Sequence, residues 1–175
     1  LGGLRGIGLP ADRLPMTLGC DAAGIDEQGN EVVVYTVVSD APFGTDETID
    51  ESRSILSEKF PGTFSERFAI PARNLIAKPT NWSWAEAACL PTAWLTAYRM
   101  LAVRSGLRPG NTVLVQGAGG GVATACIALG AAMGFRVWAT SRDEEKRARA
   151  LELGAQDVFE SGARLPDRVD AVMET

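Results

Sequence analysis

Apolar positions along this chain fall into two textures, and the change comes near residue 83. Upstream they sit in short β-branched or alternating runs between polar, turn-rich stretches. Positions 31–38 (EVVVYTVV), introduced by a Gly29-Asn30 turn signal, predict one buried strand. Positions 39–61 are polar and punctuated by Asp-Ala-Pro and Phe-Gly-Thr, which predicts a long surface loop holding one helical turn. Positions 64–70 (FSERFAI) alternate and predict a second strand, ended by Pro71.

Downstream the period lengthens. Ser83-Trp84-Ala85-Glu86 is a capping box, so a helix is predicted to start near Trp84. Pro91 is expected to interrupt it, and a second helix over 92–104 is stopped by Gly106 and Pro109. From Thr112 onward the pattern predicts strands at 112–116, 135–140, 156–159 and 169–173, with helices at 121–133 and 143–153. This alternation defines βαβ units: an α/β fold with a parallel sheet and helices on both faces.

Composition narrows the chemistry. A 175-residue chain with 46% hydrophobic and 22% charged residues is neither disordered nor fibrous, and holds one ordinary domain or two small ones. Net charge is −5, and residues 21–60 carry ten acids against Arg53 and Lys59, so no nucleic-acid partner is expected. The uncharged run 113–135 is long enough for a membrane span and contains Gly130-x-x-x-Gly134. Yet Gly117, Gly119, Gly120 and Gly121 directly follow Val113-Leu114-Val115, which suits a strand-to-helix turn and no membrane partner. The histidine count is zero, which removes Ser–His and Cys–His pairs, histidine bases and histidine metal ligands. Cys20, Cys89 and Cys126 form no CxxC, so neither a disulfide framework nor a four-cysteine zinc site is expected, and a cytoplasmic location is. Leu1-Gly2-Gly3-Leu4-Arg5 is not a signal peptide, and 168–175 (RVDAVMET) reads as a strand barely ended, so the chain is expected to be a cut piece.

The glycine run carries the most specific chemistry. Gly117-Ala118-Gly119-Gly120-Gly121-Val122-Ala123 lies between a strand and an apolar helix inside one βαβ unit, the setting of a dinucleotide fingerprint. Glycines let the backbone approach a pyrophosphate, and the helix N-terminus offers free N–H groups and a positive dipole end. The spacing is best read as GxxGxxA over Gly117, Gly120 and Ala123, with Ala123 at the closest helix–strand approach. The second strand then runs into Ser141-Arg142, with no acid at its tip to hold the ribose hydroxyls of NAD. Arg142, Ser141 and Lys146 suit a 2′-phosphate instead, so NADP(H) is the expected cofactor. Ser141-x-x-Glu144 also reads as a capping box, which is compatible with that role.

Taken in order, several stretches resemble the medium-chain dehydrogenase/reductase superfamily on its zinc-independent, quinone oxidoreductase-like side. They are Leu18-Gly19-Cys20-Asp21-Ala22-Ala23-Gly24, Gly62-Thr63-Phe64-Ser65-Glu66, the run from Glu86 through Pro91 and Thr96 to Tyr98, Arg108-Pro109-Gly110-Asn111-Thr112-Val113-Leu114-Val115, and EKRARALELGA from Glu145. The resemblance implies a partial β-rich GroES-like catalytic domain over 1–91 and a partial NADP-binding Rossmann domain over 92–175, with visible strand order 3-2-1-4 and pieces absent at both ends. It implies a homodimer for the complete protein. Zinc-dependent relatives have His where this chain has Cys20 and Cys where it has Ala93, and carry a four-cysteine lobe missing here, so no metal is expected.

Without zinc, hydrogen-bond donors must polarise the carbonyl while the cofactor supplies hydride, which favours quinone, enone or related small-molecule carbonyl substrates. The resemblance places the helix bearing Thr92, Thr96 and Tyr98 beside the nicotinamide, Thr96 against the cofactor. Trp82, Trp84 and Trp94 are read as core residues, Cys20 as a buried structural thiol, and no catalytic residue is assigned. The competing readings are a zinc-dependent alcohol dehydrogenase relative and a nucleotide-binding module without turnover.

Overall fold

The computed structural model describes residues 13–42 and 45–175. The expectations placed on residues 1–5 and on Phe43 and Gly44 lie outside them. The chain divides into two compact units between Thr92 and Ala93.

In the first unit, β1 (Ala23–Ile25) and β2 (Glu31–Val34) form a hairpin. Its turn is held by Asp26, whose Oδ1 accepts from the N–H groups of Gln28 (2.9 Å) and Asn30 (2.8 Å). β3 (Val37–Val38) pairs antiparallel with β4 (Ser54–Ile55), and β5 (Leu75–Ala77) adds to the far side of β2. The run 31–38 is therefore not one strand, as its pattern predicts. It breaks at Tyr35 and Thr36 and passes from the β1-β2-β5 sheet to the β3-β4 ribbon. Asn74 is the physical reason. Its side chain is buried, and Nδ2 donates to the carbonyls of Tyr35 (2.8 Å) and Val37 (2.7 Å), while its own carbonyl accepts from Tyr35 N–H (2.8 Å). The bend thus keeps its buried backbone groups paired, as burial requires.

The predicted strand at 64–70 is also absent. Pairing starts well, since Gly62, Thr63 and Phe64 donate to the carbonyls of Thr17, Gly19 and Leu18. Ser65 then turns the chain, its Oγ donating to Arg67 O (2.9 Å), and only Phe68 and Ile70 reach the core of Val34, Val38 and Leu56. Alternation here reflects two inward apolar side chains on irregular backbone.

Helix α1 (Trp84–Ala88) starts on the predicted capping box, with Ser83 and Glu86 exchanging both bonds. Trp82 and Trp84 lie at the surface, 40% and 42% exposed, which corrects their reading as core. Lys78 explains the arrangement of Trp84: its buried ammonium donates to Trp82 O (2.8 Å), pairs with Glu31 (3.0 Å) and lies 5.0 Å from the Trp84 ring centroid. Pro91 does not interrupt the helical path. The chain widens into a π turn at Leu90–Trp94, continues through α2 (Leu95–Tyr98) and ends in a second π turn, Arg99–Arg104. A wider turn accommodates the missing proline N–H, and the displaced Thr92 N–H donates to Asp21 Oδ1 (3.0 Å).

The second unit carries β6 (Thr112–Gln116), α3 (Gly121–Ala132), β7 (Arg136–Thr140), α4 (Glu144–Glu152), β8 (Asp157–Phe159) and β9 (Ala171–Glu174). The four strands are parallel in the order β8-β7-β6-β9, which is the 3-2-1-4 order of a Rossmann sheet. Val113, Val115, Val137 and Ala139 point to one face and pack with Ala123, Cys126 and Ile127 of α3 and Ala150 of α4. Both crossover helices lie on that face, not one on each. Right-handed crossovers between strands added in one direction leave their helices on the same side. The two helices end together, where a Cβ on Gly154 would come within 2.7 Å of Ala131 Cβ. On the other face Trp138 meets Phe159 edge-on at 5.4 Å. Among the described residues no helix is long and apolar enough to cross a membrane.

Replacing Asn74 by Ala removes the buried amide that donates to the Tyr35 and Val37 carbonyls. A loss of about 2–3 kcal/mol is expected in denaturant unfolding of the protein. A change under about 0.5 kcal/mol would show that the bend does not depend on Asn74.

Candidate dinucleotide site

The site begins where β6 stops. Gly117 (φ 80°) and Gly119 (φ 115°) turn the backbone through conformations that L side chains rarely adopt. Between them Ala118 N–H donates to Thr140 O (2.9 Å), tying the turn to the tip of the neighbouring strand. Gly120 is the N-cap of α3 in extended backbone, and no side chain caps the helix. A Cβ on Gly120 would meet nothing within 4 Å. Among the described residues no side-chain oxygen accepts from the N–H groups opening α3, and there is room beside Gly120, which fits a phosphate. Val122 is half-buried and Ala123 fully buried against the sheet. Gly121 lets the helix start approach Ala93, whose Cβ lies 3.3 Å from where a Cβ on Gly121 would sit.

The second half of the site is the β7 tip. Ser141 is buried, its N–H donating to Phe159 O (3.1 Å) and its Oγ accepting from Asp143 N–H (3.2 Å). Asp143 caps α4, its carboxylate accepting from Lys146 N–H (3.2 Å), so the cap lies two residues later than the Ser141-x-x-Glu144 pattern suggests. Arg142 stands between them, exposed and without a hydrogen bond or ion pair among the described residues. The stem of Lys146 lies across Gly119: an added Cβ there would sit 2.6 Å from its Cδ. The fold thus brings the glycine turn, Ser141, Arg142 and Lys146 together at one end of the sheet.

Thr96 is exposed on α2, and the contact with the start of α3 is made by Ala93, one turn earlier. Tyr98 is 49% exposed. Arg147, whose Nη1 donates to Ser141 O (2.7 Å), adjoins the candidate site and was not among the residues expected from the sequence. A six-residue step from strand tip to helix gives no periodic signal.

The thiols are quiet. Cys20 Sγ donates to Leu56 O (3.1 Å), and burial, then the Asp21 and Glu58 charges, raise its pKa. Cys126 lies wholly inside the α3–sheet core, and burial pushes it from 9.0 up to about 11. Among the described residues no three His, Cys, Asp or Glu side chains gather as a metal would need.

No family model matches the chain. Individual proteins do. It is 36% identical over 154 residues to a zinc-type alcohol dehydrogenase-like protein of Schizosaccharomyces pombe, covering 82% of this chain and 44% of that protein. It is 36% identical over 151 residues to the acryloyl-coenzyme A reductase of Metallosphaera sedula, covering 78% of this chain and 45% of that protein. Among solved structures, an NAD-dependent alcohol dehydrogenase superposes with a TM-score of 0.81 at 35% identity, over 94% of this chain and 51% of that one. The quinone oxidoreductase of Thermus thermophilus, solved also with NADPH, superposes with a TM-score of 0.63 at 32% identity, over 81% and 40%. These are two-part dehydrogenase folds, GroES-like then Rossmann, and the same order of parts is present here. The chain belongs to the medium-chain dehydrogenase/reductase superfamily. It spans less than half the length of these two curated relatives.

Gly119→Ala should lower stability by about 1–3 kcal/mol, because of its positive φ, while the flexible Lys146 stem is displaced. Gly120→Ala should cost under about 1 kcal/mol, the loss of a good N-cap residue only. Thermal melts of the two variants compare them, and equal losses would contradict the geometry. Cys126 should resist alkylation in the folded protein at pH 8 while exposed Cys89 reacts. Its raised pKa stabilises the fold fully below pH 9.0, and that contribution is lost as pH rises to about 11. Unfolding midpoints measured across that window should fall for the native sequence more than for Cys126→Ala.

Proposed function

We propose that this chain is the cofactor-binding portion of an oxidoreductase that reduces a quinone, enone or related carbonyl with NADPH and without zinc. The observation that carries the reading is the β7 tip: Arg142 is exposed and unpaired among the described residues, and the adjacent carboxylate of Asp143 is engaged as a helix cap. In such sheets the tip of the second strand chooses between a ribose hydroxyl and a 2′-phosphate. An arginine fork there matches a phosphate and leaves NAD with no acid to bind its ribose. The structure solved with NADPH is that of a quinone oxidoreductase, whereas another neighbour is named NAD-dependent, so the choice rests on this chain's own residues.

The roles follow from position. The uncapped start of α3, opened at Gly120, receives the pyrophosphate, and Gly117 and Gly119 supply the positive-φ backbone that turns the chain from β6 into it. Lys146 reaches over Gly119 and brings its ammonium to the phosphate oxygens. Ser141 and Arg142 bind the 2′-phosphate, and Thr96 flanks the nicotinamide. NADPH supplies the hydride. Zinc does not suit the residues present: the Cys20 thiol is held protonated on a backbone carbonyl, and Ala93 offers no ligand atom. Substrates whose developing charge spreads over a conjugated system need no Lewis acid, and a relative acting on acryloyl-coenzyme A is consistent with this. The complete protein is read as a cytoplasmic homodimer.

Ser141→Asp combined with Arg142→Ala should shift cofactor preference from NADPH toward NADH by at least about tenfold, measured as the ratio of binding constants. An unchanged ratio would sink the NADP(H) assignment. Incubation with NADPH and phenanthrenequinone tests turnover: cofactor fluorescence that shifts without loss of absorbance at the reduced-nicotinamide band would favour a binding module.

A further inference from the structure

One cation in the β7–α4 turn has no part in those cofactor contacts. Arg147, half-buried in the first turns of α4, donates Nη1 to the Ser141 carbonyl at 2.7 Å. Ser141 is thereby held at three points, because its N–H donates to Phe159 O and its Oγ accepts from Asp143 N–H. Asp143 is fixed in turn as the cap of α4. Arg142 is thus set between two pinned neighbours, and its direction from the strand tip is determined by theirs.

We propose that Arg147 is a positioning residue for recognition of the 2′-phosphate, acting through the Ser141 carbonyl. The inference rests on the NADP(H) reading above and adds to it. Two physical effects support the role. A carbonyl left bare beside Ser141 Oγ would turn its negative end on an anionic ligand, and the guanidinium occupies that oxygen. The first turn of α4 also carries Glu144 and Glu145 next to Asp143, a local negative charge that Arg147 offsets where a phosphate must bind. A lysine can replace the hydrogen bond but not the planar fork, so it should serve in part.

The experiment compares two probes that differ only in the 2′-phosphate, 2′,5′-ADP and 5′-AMP, by calorimetric titration of the protein. Arg147→Ala should weaken 2′,5′-ADP roughly tenfold and leave 5′-AMP within about twofold, and Arg147→Lys should recover part of the difference. Arg142→Ala, run in parallel, should weaken 2′,5′-ADP selectively. Equal weakening of both probes in Arg147→Ala overturns the positioning role, since a merely structural residue would act on both. A selective loss in Arg142→Ala with none in Arg147→Ala also overturns it while leaving the NADP(H) reading intact. No selective loss in Arg142→Ala overturns that reading and this role together. Should Arg147→Ala fail to fold, Arg147→Lys decides, with a drop in the probe ratio of about threefold expected and an unchanged ratio counting against the proposal.

Discussion

The pairing of β6 with β7 governs the second unit. The two strands run parallel and in step from Thr112 opposite Arg136 to Gln116 opposite Thr140, so they end at the same level. The segments leaving the two strands are then forced to be neighbours: the glycine turn after one, Ser141 and Arg142 after the other. Ala118 N–H closes the gap by donating to the last carbonyl of β7, and Lys146 lies back over Gly119. A slip of one residue would separate these groups and turn Val113 and Val115 out of the core they share with α3. The candidate site is thus a product of strand register before it is a product of any single side chain.

The first unit obeys a different rule, which is that its irregular backbone must find partners without a long ladder. Asn74 does this at the break between β2 and β3. Asp50 does it in the acidic loop, where it accepts from Ser39, Asp40 and Ser52. Those bonds to the charged form, Ser39 first, hold its carboxyl well below the usual range. Arg73 joins the same region by donating to Ala41 O (2.8 Å) and pairing with Glu47. Polar side chains here do the work that strands do in the other unit.

The second unit was legible in the sequence because its signals are local and redundant. β6, α3, β7 and α4 lie within a residue or two of their predicted bounds, and the glycine turn falls where the strand-to-helix context places it. The first unit was less so. The run 31–38 is rich in β-branched residues throughout, and its break depends on Asn74, some forty positions away. The pattern at 64–70 is apolar and alternating, yet beyond Phe64 no strand partner continues the pairing among the described residues. Pro91 signals a stop by local rules, whereas a π turn and the Asp21 carboxylate let the helical path continue. Arg147 was invisible for the same reason as Asn74: its contact is with a carbonyl, and carbonyls are alike in every sequence.

The start of α3 has a consequence for how this protein tolerates change. Helices α1 and α4 begin on oxygen-bearing caps, Ser83 and Asp143, while α3 begins on Gly120 with none. A serine or aspartate at that place would improve the cap by about a few tenths of a kcal/mol. It would also put an oxygen where the proposed phosphate would bind. On the proposed reading, thermal robustness and ligand affinity therefore pull in opposite directions at this one residue.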